Sequence, residues 1–581
     1  KAQDLVLTSY LGDFEKRFLV TVYPQIFQGQ GTESDPYLIK DKNDMQLLSD
    51  AINNQGLDFT GEYLSMTQDI DMAGVTDFQP FGFGSTAVCP FNGNFNGNGH
   101  AIKNLGIDAL TNKVMNVGLF IMVANDGVVR NLVIDKSCRF KVFRNFAPVA
   151  ATVYGTVENC RNYADVPSTE GFSAGIVTFL YGTIRNCFNA GTISATEKNG
   201  YLGGIFCSAY AGSTVEGCQN AGKITAVFDK AINLGGIGQS SYADMKNCLN
   251  TGIVEGGTNS SKMGGIVASD NAAAKMATTI SVAPVVAGTL TEVGSVTGAP
   301  KGTYSNVYAD GQITVYGNEI EGVKIVDTDQ LTVSALEGFG SEWTMTAGRY
   351  PMLTLFKDLP EAQVGSMPVV FPAGEIRTEL TAGGTLYTAA GLAWTVQGDA
   401  FSINGDKLNL DKPQAYATGT LTASWQGASK EIPLGALPQA FEGAGTAAQP
   451  WLIKTPEDLV KLSESTLGGN VRYNGKYFAL ANNLDMSGVA NFTPVAQSGK
   501  FEATFDGRGN TIDNLTVSST TLASGLFFNI GAPGCVKDLT VGAGSSITGK
   551  GSTGALAATL EGKLSGCVNR AKISSTGAIA G

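Results

Sequence analysis

The chain has 581 residues, of which 43% are hydrophobic and 15% are charged, and its formal net charge is −12. This acidic balance argues against nucleic acid as a partner, because a phosphate backbone would be repelled. The low charge and the 74 glycines favour β-structure with many turns over long amphipathic helices. No apolar run is long enough to cross a bilayer, so we expect no membrane span in this chain.

The first predicted element is the tail of a β-sandwich. The segment "LTSYLGDFEKRFLVTVYP" (7–24) resembles "LTASWQGASKEIPLGALP" (421–438) when one gap is allowed. Residues 1–26 are therefore interpreted as the C-terminal part of a domain whose fuller copy is 358–437. That copy contains short alternating runs between Gly, Asn and Asp turns, which predicts a small β-sandwich.

A large duplication comes next. The segment "GEYLSMTQDIDMAGVTDFQP" (61–80) returns as "GKYFALANNLDMSGVANFTP" (475–494), an offset of 414 residues. The sequence thus predicts a first repeat module at 27–357 and a second, incomplete one at 438–581. Because the pattern is interrupted at Gly581, we expect the natural protein to continue.

Each module is predicted to begin with a short helix. In "TPEDLVKL" (455–462), Thr455 is a candidate N-cap and Pro456 occupies the first helical position. The segment "KNDMQLLSDAI" (42–52) is similar. Such a helix would cover the open end of a stack of coils and protect its unpaired edge.

Cysteines recur about every thirty residues in the first module. Cys160, Cys187, Cys218 and Cys248 are spaced by 27, 31 and 30 residues, and Cys567 is the counterpart in the second module. Apolar residues lie at fixed alternating positions around each cysteine. This period predicts a parallel β-helix, in which successive coils bury one common column of side chains. Stacked cysteines would be too far apart for disulfide bonds, so we expect reduced thiols.

Three polar or small columns share this period. An Asn two residues after each Cys predicts a hydrogen-bonded ladder, and the Gly two residues later predicts a corner with positive φ. Charges of alternating sign two residues before each Cys predict an outward salt-bridge ladder that fixes the register. The columns are Asn162, Asn189, Asn220 and Asn250; Gly191, Gly222, Gly252 and Gly311; and Glu158, Arg185, Glu216 and Lys246.

The last coils of the first module are less regular. Val307 occupies the Cys position about two periods after Cys248, so either one coil is degenerate or there is an insertion across 270–303. The segment "LEGFGSEWTMTAGRYPMLTLF" (336–356) follows and is rich in bulky apolar residues. We expect it to close the far end of the column.

Few residues offer catalytic chemistry. His100 is the single histidine, so HExxH zinc sites are excluded and a Ser-His-Asp or Cys-His centre would need His100. Asn510 stands at its position in the second module, which favours a turn residue. Asp69 and Asp71 of "QDIDM" could form a calcium site or a glycosidase pair, but the second module keeps only Asp485, which favours a turn-stabilising role. The sequence therefore predicts no catalytic residue, no metal site and no cofactor.

Aromatic residues in the coils permit two interpretations. They could line a sugar-binding groove, or they could stack in the core or on the surface, which we favour. The residues are Tyr154, Phe172, Tyr181, Phe188, Tyr201 and Tyr210.

Through "GGIVTFLYGTIRNCFNAGTI" and "GGIFCSAYAGSTVEGCQNAGKI" the chain resembles GLUG-motif repeat proteins, which are large secreted or surface-attached bacterial proteins. The resemblance covers about 27–320 and 441–581, and 358–437 resembles the degenerate bacterial Ig-like domains that accompany them. It implies an all-β fold in which right-handed parallel β-helix modules alternate with Ig-like β-sandwich domains. Some relatives carry a zinc protease domain, but this chain has no HExxH motif, so that activity is not carried over.

The resulting hypothesis is a non-enzymatic stalk or adhesin-like protein, extracellular or on the outer surface of a bacterium. The resemblance implies host glycans or extracellular proteins as partners, bound on loops or in the 270–303 stretch. The alternative is a carbohydrate-active enzyme or a carbohydrate-binding β-helix protein. A third reading is a pure spacer whose active domain lies outside this chain.

Overall fold

The structure is a computed structural model. It describes residues 3–11, 14–22, 26–83, 89–111, 113–169, 171–195, 200–226, 232–257, 260–287, 292–313, 320–372, 375–377, 380, 382–410, 417–436, 441–443, 445–467 and 473–576. The chain divides into two compact units, which are Lys1–Asp411 with Tyr416–Ala436, and Leu437–Gly581 with Lys412–Ala415. Each unit contains a stack of short parallel strands.

The predicted parallel β-helix is confirmed as a parallel β-solenoid in the first unit. A complete coil contributes one short strand to each of five faces, and each strand pairs in parallel with its counterpart one coil away. We number the faces 1 to 5 in chain order, so that face 1 is the strand just before the Cys position and face 2 is the strand just after it. Two longer strands, Lys275–Ser281 and Thr303–Asp310, run through both face 1 and face 2.

The strands are as follows. Face 1 contains Tyr37–Ile39, Tyr63–Met66, Asn94–Asn96, Val128–Arg130, Thr156–Glu158, Thr183–Arg185, Thr214–Glu216 and Asp244–Lys246. Face 2 contains Ile70–Asp71, Ala101–Lys103, Val133–Ile134, Arg161–Asn162, Phe188–Asn189, Gln219–Asn220, Leu249–Asn250 and Val323–Val326. Face 3 contains Gly106–Asp108, Arg139–Lys141, Val166–Ser168, Ile193–Ala195, Ile224–Ala226, Val254–Gly256 and Val285–Val286. Face 4 contains Asn116–Val117, Asn145–Phe146, Gly171–Ala174, Gly200–Gly203, Ile232–Gly235, Ser260–Gly264 and Val293–Gly294. Face 5 contains Phe120–Val123, Ala150–Val153, Val177–Leu180, Phe206–Ala209, Gly238–Ser241, Val267–Asp270 and Thr297–Ala299.

One apolar core runs through this stack, from Phe27 to Ala309. The four cysteines of the repeat are fully buried in it, and all nine cysteines of the chain are free. The prediction of a reduced cysteine column is therefore confirmed. Burial raises the pKa of the Cys187 and Cys248 thiols well above its usual value, so these residues act as small apolar fillers.

The asparagine column forms the predicted ladder. The Asn162 amide donates to Asn189 Oδ1 at 2.8 Å, Asn189 donates to Asn220 at 2.8 Å, and Asn220 donates to Asn250 at 2.9 Å. The ladder ends where Asn250 donates to the Gly265 carbonyl oxygen at 2.7 Å. All four side chains are fully buried, so each coil is tied to the next by a bond shielded from water.

The reason for the glycine column differs from our expectation. Gly222 and Gly252 do not adopt positive φ; the left-handed residues are those just before the Cys position, such as Asn159 with φ 54° and Asn186 with φ 56°. A Cβ on Gly222 would lie 2.1 Å from the Gly191 carbonyl oxygen. Glycine is needed here because adjacent coils approach closely, and not because the corner is left-handed.

The 270–303 stretch is a degenerate coil. Thr279 pairs with Val307 in the ladder, and its Oγ1 accepts a hydrogen bond from the Cys248 amide at 3.3 Å. Thr279 thus takes the position that cysteine occupies in earlier coils. The insertion that we considered is not present among the described residues of this stretch; residues 288–291 lie outside them.

Four helices accompany the strands of the described residues: α1 (Lys42–Asn53), α2 (Thr328–Leu331), α3 (Pro360–Gly365) and α4 (Pro456–Ser465). Thr455 caps α4 as predicted, in a capping box with Asp458. At the start of the first module, α1 places Met45, Leu48 and Ile52 in the core.

The segment after the last coil packs on the side of the solenoid. Its antiparallel strands Trp343–Thr344 and Met352–Leu353 and the 3₁₀ helix Thr354–Phe356 cover the outer side of face 2. The covering residues include Trp343, Tyr350, Leu353 and Phe356, and the covered ones include Phe188, Leu249, Ile280 and Tyr308. This arrangement corrects the expectation that 336–356 closes the end of the column.

Two antiparallel sheets follow and share one apolar core. The first contains Val369–Val370, Gly384–Leu386, Phe401–Asn404 and Lys407–Leu410, and the second contains Ala393–Gln397, Ala417–Trp425 and Ala428–Ala436. The N-terminal hairpin, Gln3–Leu11 with Phe14–Val22, has the same strand lengths and the same two-residue connection as the hairpin 417–436. The two hairpins therefore match at an offset of 414 residues without the gap that the sequence comparison allowed.

The second unit repeats the beginning of the solenoid. Its parallel strands correspond to faces 1, 2, 3 and 5. They are Trp451–Ile453, Tyr477–Leu480, Thr504–Asp506, Cys535–Lys537 and Lys563–Ser565; Leu484–Asp485, Thr511–Asp513, Thr540–Val541 and Val568–Asn569; Thr516–Ser518, Ser546–Gly549 and Lys572–Ser575; and Phe527–Ile530 and Ala557–Leu560.

Candidate binding surface

The acidic pair near His100 is built into turns. Asp69 accepts hydrogen bonds from the Ala101 amide at 2.9 Å and from Lys103 Nζ at 2.7 Å, and His100 Nδ1 lies 3.6 Å from its Oδ1. The Lys103 ammonium, followed by the backbone amide, holds the pKa of Asp69 below its usual value. In the second module Asn483 stands at the position of Asp69, and its side-chain oxygen accepts the equivalent bond from the Thr511 amide at 2.8 Å. The turn therefore needs a hydrogen-bond acceptor at this position and not a negative charge.

The second carboxylate has a comparable role. Asp71 accepts bonds from the Asn104 side chain at 2.8 Å and from the Ala73 amide at 2.9 Å, and these bonds lower its pKa. Asp485 accepts from Asn514 at 2.8 Å in the second module. Both aspartates therefore brace a turn, and no group of three or more metal-binding side chains lies among the described residues. In that same part of the chain, no helix is long and apolar enough to cross a membrane.

The charged column on face 1 forms ion pairs between neighbouring coils. Arg185 Nη2 lies 2.5 Å from Glu158 Oε2, and Lys246 Nζ lies 2.8 Å from Glu216 Oε1. The parallel register places these four residues in one row. They satisfy one another, which supports the predicted structural role over a binding role.

Four tyrosines, three exposed and one partly exposed, form a ridge along the edge of face 5, and we call them the tyrosine ridge. They are Tyr154, Tyr181, Tyr210 and Tyr242, one from each of four successive coils. The rings of Tyr154 and Tyr181 stack at 4.7 Å and 12°, and those of Tyr181 and Tyr210 stack at 4.2 Å and 2°. Tyr154, Tyr181 and Tyr242 are 41%, 38% and 40% exposed, so the ridge is a surface feature.

A second aromatic group joins face 4, which contains Phe172 and Tyr201, to face 5, which contains Phe179. Phe172 stacks on Tyr201 at 4.6 Å and 15°, and its ring centroid lies 5.4 Å from that of Phe179. All three side chains are partly exposed. Between the two aromatic groups, face 5 presents a column of outward residues in which Ser208, Ser240 and Ser269 follow Phe179.

Five of the six aromatics named from the sequence thus meet on one surface. Phe188 does not, because it is fully buried on face 2 with its ring 5.1 Å from that of Phe356. Sequence reasoning missed Phe179 and Tyr242. Phe179 lies two residues before Tyr181 in a strand, and this spacing places both side chains on one side. Tyr242 follows its strand as Tyr210 does, so the repeat alignment contains the signal.

The ridge suits recognition better than catalysis. Because the inner rings cover one another's faces, the ridge presents ring edges and a row of hydroxyl groups. Partial burial, followed by the hydrogen bond with Tyr210, raises the pKa of the Tyr181 hydroxyl. Tyrosine supplies a large amphipathic contact area at low conformational cost, and stacking holds the rings of Tyr154, Tyr181 and Tyr210 in place before any partner arrives.

Comparisons with known proteins give little further information. No protein-family model and no curated protein matches the chain. A solved structure described as a "putative immunoglobulin A1 protease" from Bacteroides ovatus is similar, with 19% sequence identity and a TM-score of 0.37. The similarity covers 56% of this chain and 94% of that one. At this level it carries no argument about the activity of this protein.

Proposed function

We propose that this protein is a non-enzymatic stalk with an adhesin-like role, located outside the cell or on the outer surface of a bacterium. Its solenoid would hold a recognition surface on a stiff support, and host proteins or glycans would be the partners. The proposal includes the finer parts of the sequence hypothesis. These are the relation to GLUG-motif proteins, a right-handed solenoid, an Ig-like character for 358–437, and boundaries at 26, 357 and 437.

The observation that carries the proposal is the tyrosine ridge on a continuous solenoid. Buried hydrogen bonds between asparagine side chains connect the coils. Such a stack resists bending and holds its outward side chains at fixed intervals of about 4.8 Å. The aromatic surface of face 5 is therefore preorganised, and preorganised aromatic residues are the kind that dominate binding energy at interfaces.

The test is binding by the whole chain to host cells, to extracellular matrix proteins and to a glycan array. We expect retention on at least one of these surfaces and no release of products from any bound polysaccharide. Retention should fall when Tyr181 and Tyr210 are both replaced by serine. Release of oligosaccharides, or retention that the double variant does not change, would contradict the proposal.

The hydroxyl-bearing column of face 5 supports a second candidate, a carbohydrate-binding module. Aromatic edges beside a row of serine hydroxyls resemble the mixed apolar and polar lining of ligand sites. The glycan array separates the two candidates. Saturable binding to one glycan class with no protein partner would favour the module, and binding to a host protein would favour the adhesin.

A further inference from the structure

A groove of about 450 Å³ lies on a different side of the solenoid, at the corner between faces 1 and 2. This volume falls in the range of roughly 300–1,000 Å³ that is typical of ligand sites. We call it the amide groove. Its lining residues that matter here are Asn98, Asn131, Asn159, Asn186, Arg161 and Leu355.

The four asparagines come from successive coils and share one backbone conformation. Their φ angles are 52°, 52°, 54° and 56° in chain order, so each corner turns through the left-handed region. Parallel coils place such corners about 4.8 Å apart. The result is a row of side-chain amides parallel to the solenoid axis, along which an extended chain molecule could lie.

Two of these amides are already used by the fold, and two are not. Asn98 donates to Ser65 Oγ and to the Met66 carbonyl oxygen, both at 2.7 Å, and Asn131 donates to Asn96 at 2.9 Å. The side chains of Asn159 and Asn186 make no hydrogen bond to any other residue that the structure describes. Their amide nitrogens are therefore available to a ligand, whereas the Asn186 Oδ1 lies against Gly217 of the next coil.

A cation and an apolar wall complete the groove. Arg161 lies on face 2 one coil after Val133, and it forms no ion pair with a carboxylate in the described ranges. Its guanidinium interacts with the Tyr163 hydroxyl. The wall is Leu355, which is 51% exposed although its neighbour Phe356 is buried against Phe188.

We propose that the amide groove binds a linear polysaccharide that carries carboxylates, such as a chain of uronic acids, through the local positive charge of Arg161 and against the net charge of −12 of the whole chain. Amide groups in a row pair with sugar hydroxyls, Arg161 pairs with one carboxylate through its two-pronged donor geometry, and Leu355 packs on a sugar ring. This inference deepens the proposed binding role by naming a ligand class, and it places that ligand away from the tyrosine ridge.

The experiment titrates the whole chain with polygalacturonate, with its methyl ester and with a neutral glucan, by isothermal calorimetry. We expect binding to polygalacturonate that weakens as NaCl rises, and binding to the ester at least about tenfold weaker. Arg161→Gln should weaken binding by about 10- to 100-fold, the range for loss of a charge-assisted hydrogen bond. Arg130→Gln, on face 1 of the preceding coil and outside the groove, is the matched control and should change affinity less than about twofold.

The double variant Asn159→Gly, Asn186→Gly removes the two available amides and keeps the corner, since Gly217 holds a left-handed φ of 63° at the equivalent position. It should weaken binding by about tenfold. Hydrogen exchange with and without polygalacturonate should show added protection at 98–186. Equal binding of acid and ester, equal losses from the two arginine variants, or protection elsewhere would overturn the groove. If polygalacturonate does not bind while Tyr181 variants still reduce retention on cells, the groove alone is wrong.

Discussion

The two copies of the repeat module share a backbone and differ in what they present outward. Arg508 and Asp538 adopt φ of 51° and 50°, where Asn98 and Asn131 both adopt 52°. At the ridge position the second copy has Glu561, which accepts bonds from Asn529 and Lys500 instead of stacking. The comparison teaches that inward residues determine the coil, and outward positions are then free to acquire a binding role in one copy only.

The largest effect should come from the inward ladder of the first copy. Asn189→Ala removes the bonds to both neighbouring asparagines and the bond to the Gly191 carbonyl oxygen. The Asn162 amide nitrogen and the Asn220 Oδ1, which belong to fully buried side chains, then each keep one bond and lose the other. We expect the free energy of local opening to fall by about 3 kcal/mol. Hydrogen-exchange mass spectrometry of the whole chain would measure this for the peptides around 150–230.

The matched control lies in the second copy. Asn569 is exposed, and its Oδ1 accepts a bond from the Ala571 amide at 2.8 Å. Asn569→Ala should cost no more than about 1 kcal/mol. If the two variants lower the free energy of local opening by the same amount, the buried asparagine ladder does not hold the coils together. The proposal of a stiff support would then be contradicted.

The next effect concerns binding and exchanges one side chain between the copies. Tyr181→Glu gives the ridge the residue type of Glu561 and breaks both ring stacks. We expect a loss of at least about 2 kcal/mol of binding energy to a host surface, the level of an interface hot spot. Surface plasmon resonance against the partner found by screening would measure it.

Glu561→Tyr is the reciprocal variant and isolates the role of the ridge. It adds one tyrosine to a copy that has no neighbouring stack, so affinity should not change. A gain in affinity equal to the loss in Tyr181→Glu would show that any exposed tyrosine suffices and that the ridge has no special role.

The architecture could be predicted from the sequence because the residues that repeat with a period of about thirty are those that point into the core. Cys187, Asn189 and Thr455 all have the roles that their spacing predicted. Outward features were harder to predict. Phe188 follows Cys187 directly and is equally buried, because a segment from more than 150 residues later covers face 2, and no local pattern encodes that contact.

The same limit applies to the binding surfaces. The aromatics were visible in the sequence, but alternation within single strands decides which of them share a face. The amide groove was not predicted, since its asparagines at 98, 131, 159 and 186 lie outside the column that was read as structural. The available signal was an asparagine directly before the cysteine position in three successive coils, at 131, 159 and 186, because asparagine is enriched where the backbone is left-handed.

A third prediction compares the two hairpins that match at an offset of 414. Lys16 is exposed, whereas Lys430 at the equivalent position is buried and donates to the Gly365 and Met367 carbonyl oxygens. Burial lowers the pKa of Lys430 to about 8, although the nearby Asp310 carboxylate opposes the shift. The Tyr350 ring also faces its ammonium at 5.3 Å.

The sign follows from proton linkage. Between pH 8 and about 10.4 the unfolded chain keeps the lysine proton and the folded chain loses it, so the contribution of Lys430 to the free energy of unfolding rises with pH in that window. The buried Cys187 and Cys248 thiols, whose pKa is raised, contribute with the opposite sign, so the quantity to measure is the difference between the wild type and Lys430→Met. We expect this difference to change by about 2 kcal/mol between pH 8 and pH 10 in urea unfolding, and Lys16→Met should show no such change. An unchanged slope in Lys430→Met would contradict the assignment.

The smallest effect belongs to the face 1 ion pairs. Among the described residues Glu158 pairs with Arg185 alone, in a partly exposed position. Asp506 in the second copy pairs with Lys537 at 2.8 Å and also accepts a bond from the Arg508 amide. Glu158→Gln should therefore cost less than about 0.5 kcal/mol, and Asp506→Asn somewhat more. Thermal unfolding of the two variants would rank them.

The row of alternating charges has a stronger test, which concerns register. Glu158→Arg places like charges in adjacent coils, and adding Arg185→Glu to it restores an attractive pair at that step. We expect the single variant to lose up to about 1 kcal/mol and the double variant to regain part of it. If the charged row contributes only stability, the single variant should differ from the wild type only by this loss of unfolding free energy, and its hydrogen exchange pattern should be unchanged. If it fixes register, hydrogen exchange in the single variant should rise across faces 1 and 2 of both coils, because a slipped strand exposes the residues that its neighbours need.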